Sequence, residues 1–291
     1  MSALPERVEA WRRRGHTTGF AGRRIHFHAR GGAAPTLVFL HGFPSCSYDW
    51  RLLLELEPEQ AVIAPDFLGF GLSDKPRDHD YSLLWQADLV EELVRREAPG
   101  GPVFLVAHDM GTSVANELMA RDLERRLSFE LDRVLLLNGS MVQDAASPTL
   151  GQRLLRSRLG PLFASLSSER FFRSQFSSVF SPQHPLTDEE AEDQWALLRH
   201  NRGHRLGHRT IRYMDERMIL AERWHGAIRE WPGTLTLAWG MLDPVATPAV
   251  LAAVRGLRPE APVTGWELVG HYPQLEAPAA VAEVLREALE A

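Results

Sequence analysis

The chain has one cysteine, Cys46, and one lysine, Lys75, among its 291 residues. A single cysteine excludes an intramolecular disulfide framework. The scarcity of lysine leaves arginine to supply nearly all of the 32 basic residues, set against 38 acidic ones for a net charge of -6. A nucleic-acid binder would show net positive charge or a clustered basic stripe, so nucleic acid is not an expected partner. No apolar run reaches the roughly 18 residues of a membrane span. The opening MSALPERVEAWRRRG lacks the apolar core of a secretory signal. There is no phosphate-binding loop, and GFG at 69–71 is too short and wrongly placed for a dinucleotide fingerprint, so no cofactor is expected. These absences suit a cytoplasmic setting. Tyrosine is scarce too: Tyr48, Tyr81, Tyr213 and Tyr272 are the whole complement.

What is present is a run of alternating strand and helix signals. APTLVFLHG (34–42), QAVIAPDF (60–67), PVFLVAHD (102–109) and LDRVLLLNGS (131–140) are continuous apolar runs, as strands buried on both faces read. RRIHFHAR (23–30) alternates as an exposed strand would. Amphipathic helices fit 82–97 and 110–124 between the runs. Strands alternating with helices imply a mostly parallel sheet with right-handed crossovers. From 141 to 230 no buried strand is evident, and the texture is helical and arginine-rich. Strand texture returns at 233–240 and 262–270, and a closing helix follows. The expectation is a core of 1–140 and 231–291 with a helical cap, 141–230, inserted between two strands. Within that cap HNRGHRLGHR (200–209) spaces His200, His204 and His208 four apart, a pattern that could bind metal or an anion. Gly203 and Gly207 argue against a firm helix there, so a solvated turn is the favoured reading.

In an open parallel sheet, ligands bind beyond the carboxyl ends of the strands. Four loops fall there: HGFP (41–44), His108-Asp109-Met110, Gly240 to Pro244, and Gly270 to Pro273. Small residues Ala107 and Gly111 flank Asp109, as a tight strand-to-helix turn requires. The chain order Asp109, Asp243, His271 is that of nucleophile, acid and base. With these features the sequence resembles the α/β-hydrolase fold family across nearly all its length. It is similar in particular to the epoxide hydrolase and haloalkane dehalogenase branch, which has an aspartate nucleophile. HGFPSCSYDW, DFLGFGLSDKP, LDPV and HYPQLEAP resemble the mesoderm-specific transcript proteins and their bacterial relatives.

The resemblance implies that Asp109 attacks carbon directly, since a carboxylate is already ionised at neutral pH. His271 would then activate water against the resulting ester, oriented by Asp243. The backbone N–H groups of Phe43 and Met110 would form the oxyanion hole. His41, Phe43, His108, Met110, Trp195, Tyr213 and Tyr272 would surround the substrate, with His41 and His108 as hydrogen-bonding scaffold rather than bases. Phe171, Phe172, Phe176, Phe180 and Met214 are further apolar candidates, so a small or medium hydrophobic substrate is expected. Cys46 reads as a small buried hydrophobe.

The leaving group is the finer question. Haloalkane dehalogenases put a tryptophan after the nucleophile to donate to the halide, and neither Met110 nor Phe43 has a side-chain donor. Epoxide hydrolases use cap tyrosines to protonate the departing alkoxide, and Tyr213 is the one tyrosine in the cap segment. The leading expectation is therefore an epoxide hydrolase with Tyr213 as acid. The alternatives are a haloalkane dehalogenase or ester or lactone hydrolase on the same triad, and a non-catalytic binding or signalling protein of the same fold.

Overall fold

The apolar runs become the middle of one sheet. The computed structural model describes residues 4–57, 59–98 and 100–290. Its strands are β1 (His16–Phe20), β2 (Arg23–Arg30), β3 (Ala33–Leu40), β4 (Gln60–Pro65), β5 (Val103–His108), β6 (Leu131–Leu137), β7 (Thr234–Gly240) and β8 (Val263–Trp266). They form one eight-stranded sheet in the order β1-β2-β4-β3-β5-β6-β7-β8. Pairing is antiparallel for β1 with β2 and for β2 with β4, and parallel for the rest. Every residue of β5 is buried, because helices cover both faces and leave no polar side to alternate with. The strand pattern predicts this mostly parallel sheet, and the architecture is the α/β-hydrolase fold that the resemblance implies.

Register brings the strand ends together. Leu40 pairs with Ala107, and Ala107 with Leu136. The loops that follow β3, β5, β6 and β7 therefore open at one edge of the sheet. Between β6 and β7, which are neighbours, the chain makes a series of short helices from Leu150–Arg156 to Ala221–Glu230. No strand occurs among the described residues of that segment.

Two details differ from the sequence reading, and a third, the turn around His200, follows it. β2 is not exposed: Ile25, His26, Phe27 and His28 are buried. The helix Glu6–Arg14 lays Trp11 on His28, ring centroids 3.5 Å apart, and β1 pairs along the other edge. The alternation of RRIHFHAR thus separates two covered faces, one holding His26 and His28, the other the apolar Ile25 and Phe27. β8 stops at Trp266 instead of reaching 270, because Gly270 and His271 donate to Glu276 and to the Val179 carbonyl rather than to a ladder. Around His200 the chain makes tight turns broken by Asn201 and Arg202, with φ of 49° and 63°. No cluster of three metal-ligating side chains exists among the described residues. No helix of the described residues is long and apolar enough to cross a membrane.

Candidate active site

Asp109 occupies the turn between β5 and the helix Met110–Leu123, with φ 44° and ψ −109°. A non-glycine residue in that region stores strain of order 1–3 kcal/mol and persists only where its surroundings enforce it. Here they do. The Asp109 carbonyl accepts from Thr112 Oγ1 at 2.6 Å and from Arg217 Nη2 at 2.7 Å. Gly111 lets the helix close on β3: a Cβ there would lie 2.3 Å from the Leu40 carbonyl oxygen. Gly42 likewise leaves room for Asp109, whose own Cβ would be 2.8 Å from an added one.

The two carboxylate oxygens of Asp109 differ. Oδ2 accepts from the Phe43 N–H at 2.9 Å. Oδ1 is buried, has no hydrogen-bond partner, and lies 3.5 Å from Arg217 Nη2. The Met110 N–H opens its helix and so has no acceptor within it. Burial favours the protonated acid, but Arg217 above all, with His271 and the Phe43 N–H, holds Asp109 below the ordinary carboxylate range. The carboxylate is thus ionised although only 1% exposed.

His271 sits beyond β8. Its Nδ1 donates to Asp243 Oδ2 at 2.7 Å, which fixes the tautomer that leaves Nε2 free to accept a proton. Asp243 is held in turn by the N–H groups of Val245 and Ala246 and by Asn138 Nδ2 at 2.8 Å. Burial opposes charge on His271, yet Asp243 and Asp109 together push its pKa up. Glu276 shapes the loop by accepting from the N–H groups of Ser181, Gly270 and Tyr272.

His41 and His108 are both fully buried and fully engaged. His41 Nδ1 donates to the Gly42 carbonyl and its Nε2 accepts from the Phe67 N–H. His108 Nε2 donates to the His271 carbonyl and its Nδ1 accepts from Gln274. Neither has a lone pair left for catalysis. Burial pulls His41 down to about 4 and His108 to about 3, so both are neutral in the fold. In the unfolded chain each takes up a proton near pH 6.5. The folded pKa is the lower one, so stability is complete above about pH 6.5 and drains as pH falls toward 4. At roughly 1.4 kcal/mol per pKa unit, the two together cost on the order of 7 kcal/mol by pH 4. Urea midpoints are expected to fall steeply between pH 6.5 and pH 4.5, and His108→Asn to flatten that slope. An unchanged slope would remove His108 from the cause.

Beside these residues lies a cavity of about 110 Å³ whose wall includes Phe43, Phe172, Phe176, Val179, Val245, His271 and Tyr272. It is mainly apolar, and it reaches residues that touch the Asp109 carboxylate. Phe171 also lines it, but Phe180 and Met214 do not. The wall does not include His41, His108, Met110, Trp195 or Tyr213, which corrects the pocket expected from the sequence. The two histidines are consumed by the scaffold. Met110 is buried at the start of the elbow helix. Trp195 packs behind Phe172, ring centroids 5.6 Å apart. Tyr213 lies behind Phe43 at 5.8 Å, with the Arg217 guanidinium 4.6 Å over its ring.

Arg217 is the residue that motif reading missed. It is 1% exposed, and its Nε donates to Ser113 Oγ at 2.7 Å. The available signal was its spacing: Tyr213 and Arg217 stand four apart on the helix Tyr213–Ile219, so they share one face. Asn138 and Glu276 had no such signal, since hydrogen bonds to backbone across the fold leave no sequence pattern.

Comparison with known proteins bears on the family and the fold. The model of the alpha/beta hydrolase family matches residues 37–284. LipZ of Mycobacterium tuberculosis is 50% identical over 276 residues, covering 95% of this chain and 96% of LipZ. The mesoderm-specific transcript protein of Mus musculus is 34% identical over 286 residues, covering 94% of this chain and 85% of that protein. Among solved structures, the epoxide hydrolase CorEH superposes with a TM-score of 0.74 at 21% identity, covering 95% of this chain and 98% of that one. At that identity the likeness speaks for the fold alone.

Proposed function

We propose, from the premise that the chain belongs to the alpha/beta hydrolase family, that it is a hydrolase working through a covalent alkyl ester on Asp109, with epoxides as the substrates its site suits best. The observation that carries this is the state of Asp109 Oδ1. It is an ionised carboxylate oxygen, buried, free of hydrogen bonds and set at a strained turn. Such an oxygen is poised to attack an sp³ carbon without prior loss of a proton.

The steps follow from the contacts. Oδ1 attacks an epoxide carbon, the ring C–O bond breaks, and the alkoxide takes the proton of Tyr213, which approaches from behind Phe43 rather than from the cavity wall. Burial and the Asp109 charge both push Tyr213 upward, so it keeps its proton until the more basic alkoxide forms. Residues 141–230 act in this reading as a cap that brings Tyr213 and Arg217 over the elbow. His271 Nε2 then takes a proton from water as that water attacks the Asp109 carboxyl carbon. Charge collects on Oδ2, where the Phe43 N–H already points and the Met110 N–H is available. The Cγ–Oδ1 bond breaks, His271 returns its proton to the departing oxygen, and a vicinal diol leaves with the former Oδ1. The proton on the restored carboxyl passes to Tyr213.

Diol release from a panel of terminal and disubstituted epoxides tests this. Tyr213→Phe is expected to lower kcat by about 100-fold or more with little change in KM. Normal turnover in that variant would place the acid elsewhere. A second reading is favoured by Arg217, whose buried cation beside the nucleophile suits any anionic leaving group, a halide or the carboxylate of an opening lactone. Halide and acid release on matched substrates separates it from the first.

A further inference from the structure

A second feature of the helical segment lies outside the candidate active site. The protein carries net charge -6, yet residues 145–168 hold three arginines and 194–212 hold five, with no Asp or Glu in either stretch. The fold packs these two acid-free stretches together, the helix Gly160–Ser165 against the turns at His200–Leu206 and the helix Gly207–Thr210. Where they meet lies a surface groove of about 330 Å³. Its wall holds Lys75, Arg77, Arg202, Arg205 and Arg209 and no carboxylate. The Lys75 ammonium is spent on the carbonyls of Phe70, Gly71 and Ser73, so the groove's free charge is arginine. Asn201 and Arg202 hold the left-handed backbone region, strain that a plain surface turn has no need to store.

Apolar side chains stand beside this charge. Pro161 and Ser165 face the groove, and the leucines within and flanking their helix are exposed: Leu159 by 67%, Leu162 by 57% and Leu166 by 72%. Leu162 stands on the helix and Leu159 and Leu166 flank its two ends, so three apolar side chains protrude from one short exposed stretch. Unpaired arginines next to protruding leucines are what an anionic bilayer surface accepts, phosphates at the charge and acyl chains at the leucines. A soluble phosphate compound would engage the groove and leave the leucines in water.

We propose that this face docks on an anionic phospholipid surface, with Leu159, Leu162 and Leu166 entering the headgroup–acyl boundary and the Arg202–Arg205 groove holding headgroup phosphates. The helix Gly160–Ser165 also walls the apolar cavity through Phe163, so docking would set that cavity beside the acyl layer. That last consequence rests on the hydrolase reading, whereas the docking itself does not.

The test is co-sedimentation of the full chain with vesicles of phosphatidylglycerol and phosphatidylcholine, against phosphatidylcholine alone, at 150 mM salt. At least tenfold more protein is expected on the anionic vesicles. Arg202→Gln/Arg205→Gln should lose about tenfold or more, at roughly fivefold per arginine near the surface. Leu162→Ser/Leu166→Ser, exposed positions whose change leaves the core intact, should lose a similar amount. Thermal melts of both variants control for folding. Equal retention on neutral and anionic vesicles, or no retention, overturns the proposal. So does loss of binding in the arginine variant alone, which would mark headgroup contact with no leucine insertion. A dimer in light scattering that the leucine variant dissociates would assign the face to a second copy of the chain instead.

Discussion

Mixed with an epoxide that the native protein hydrolyses, His271→Gln is expected to gain the mass of one whole epoxide and stop there. The two half-reactions use different groups. Attack by Oδ1 needs the Asp109 carboxylate and Tyr213, neither of which the substitution touches. Hydrolysis of the ester needs a base, and with Nε2 gone the step loses the roughly 10²–10⁴-fold that a positioned base supplies. The ester therefore accumulates, and peptide mapping should place it on Asp109. Asp109→Asn should take up no mass and show no turnover. If the gain equals an alkyl group without the epoxide oxygen, when an alkyl halide is offered, the leaving group is halide and the second reading prevails. An adduct elsewhere, or normal turnover of His271→Gln, would sink the covalent scheme on Asp109.

The second large effect concerns Arg217. Removing one partner of a buried ion pair strands the other charge, which costs about 3–5 kcal/mol. Arg217→Met should accordingly lower thermal stability at neutral pH. It should also move the acid limb of kcat/KM. In the native protein Asp109 is held below the ordinary carboxylate range, so it is ionised well below neutrality. Without the guanidinium, burial prevails and the pKa rises, by roughly 1–3 units for the loss of a neighbouring charge. Activity would then fall as pH drops through that raised value, and recover partly at alkaline pH. The stability sign reverses with it. A depressed pKa adds stability above the unfolded value, whereas a raised one removes stability as pH climbs through it. Arg217→Lys should restore the charge and most of the pH profile, but not the paired bonds to Ser113 Oγ and the Asp109 carbonyl. A pH profile that stays put while kcat/KM collapses would make Arg217 a purely structural support.

Several of these features were legible before any coordinates. Strands buried on both faces read as unbroken apolar runs, so β3, β4, β5 and β6 stood out, and small residues around Asp109 marked the turn. The order Asp109, Asp243, His271 needs only chain position, and the structure brings Asp243 and His271 to 2.7 Å. Other features were misread for identifiable reasons. RRIHFHAR alternates because its two covered faces differ in polarity, and alternation alone cannot tell a covered polar face from water. His41 and Trp195 looked like pocket residues because their types suit a pocket. What withdrew them was hydrogen bonding and packing from elements 23 or more positions away, to Phe67 for one, and a layer of Phe172 in front for the other.

The sequence by itself determined the local physics: which segments are strand or helix, where the backbone must turn sharply, and in what order the reactive side chains arrive. Those properties depend on neighbours a few residues apart, and the chain records them directly. Only the tertiary structure decided which charges meet. Arg217 reaches Asp109 across 108 positions, and Asn138 reaches Asp243 across 105. The three leucines became an exposed edge beside an arginine groove only when two acid-free stretches packed together. Contacts of that kind arise from the way the helical segment closes over the sheet, and no periodicity in the chain encodes a distance between residues so far apart.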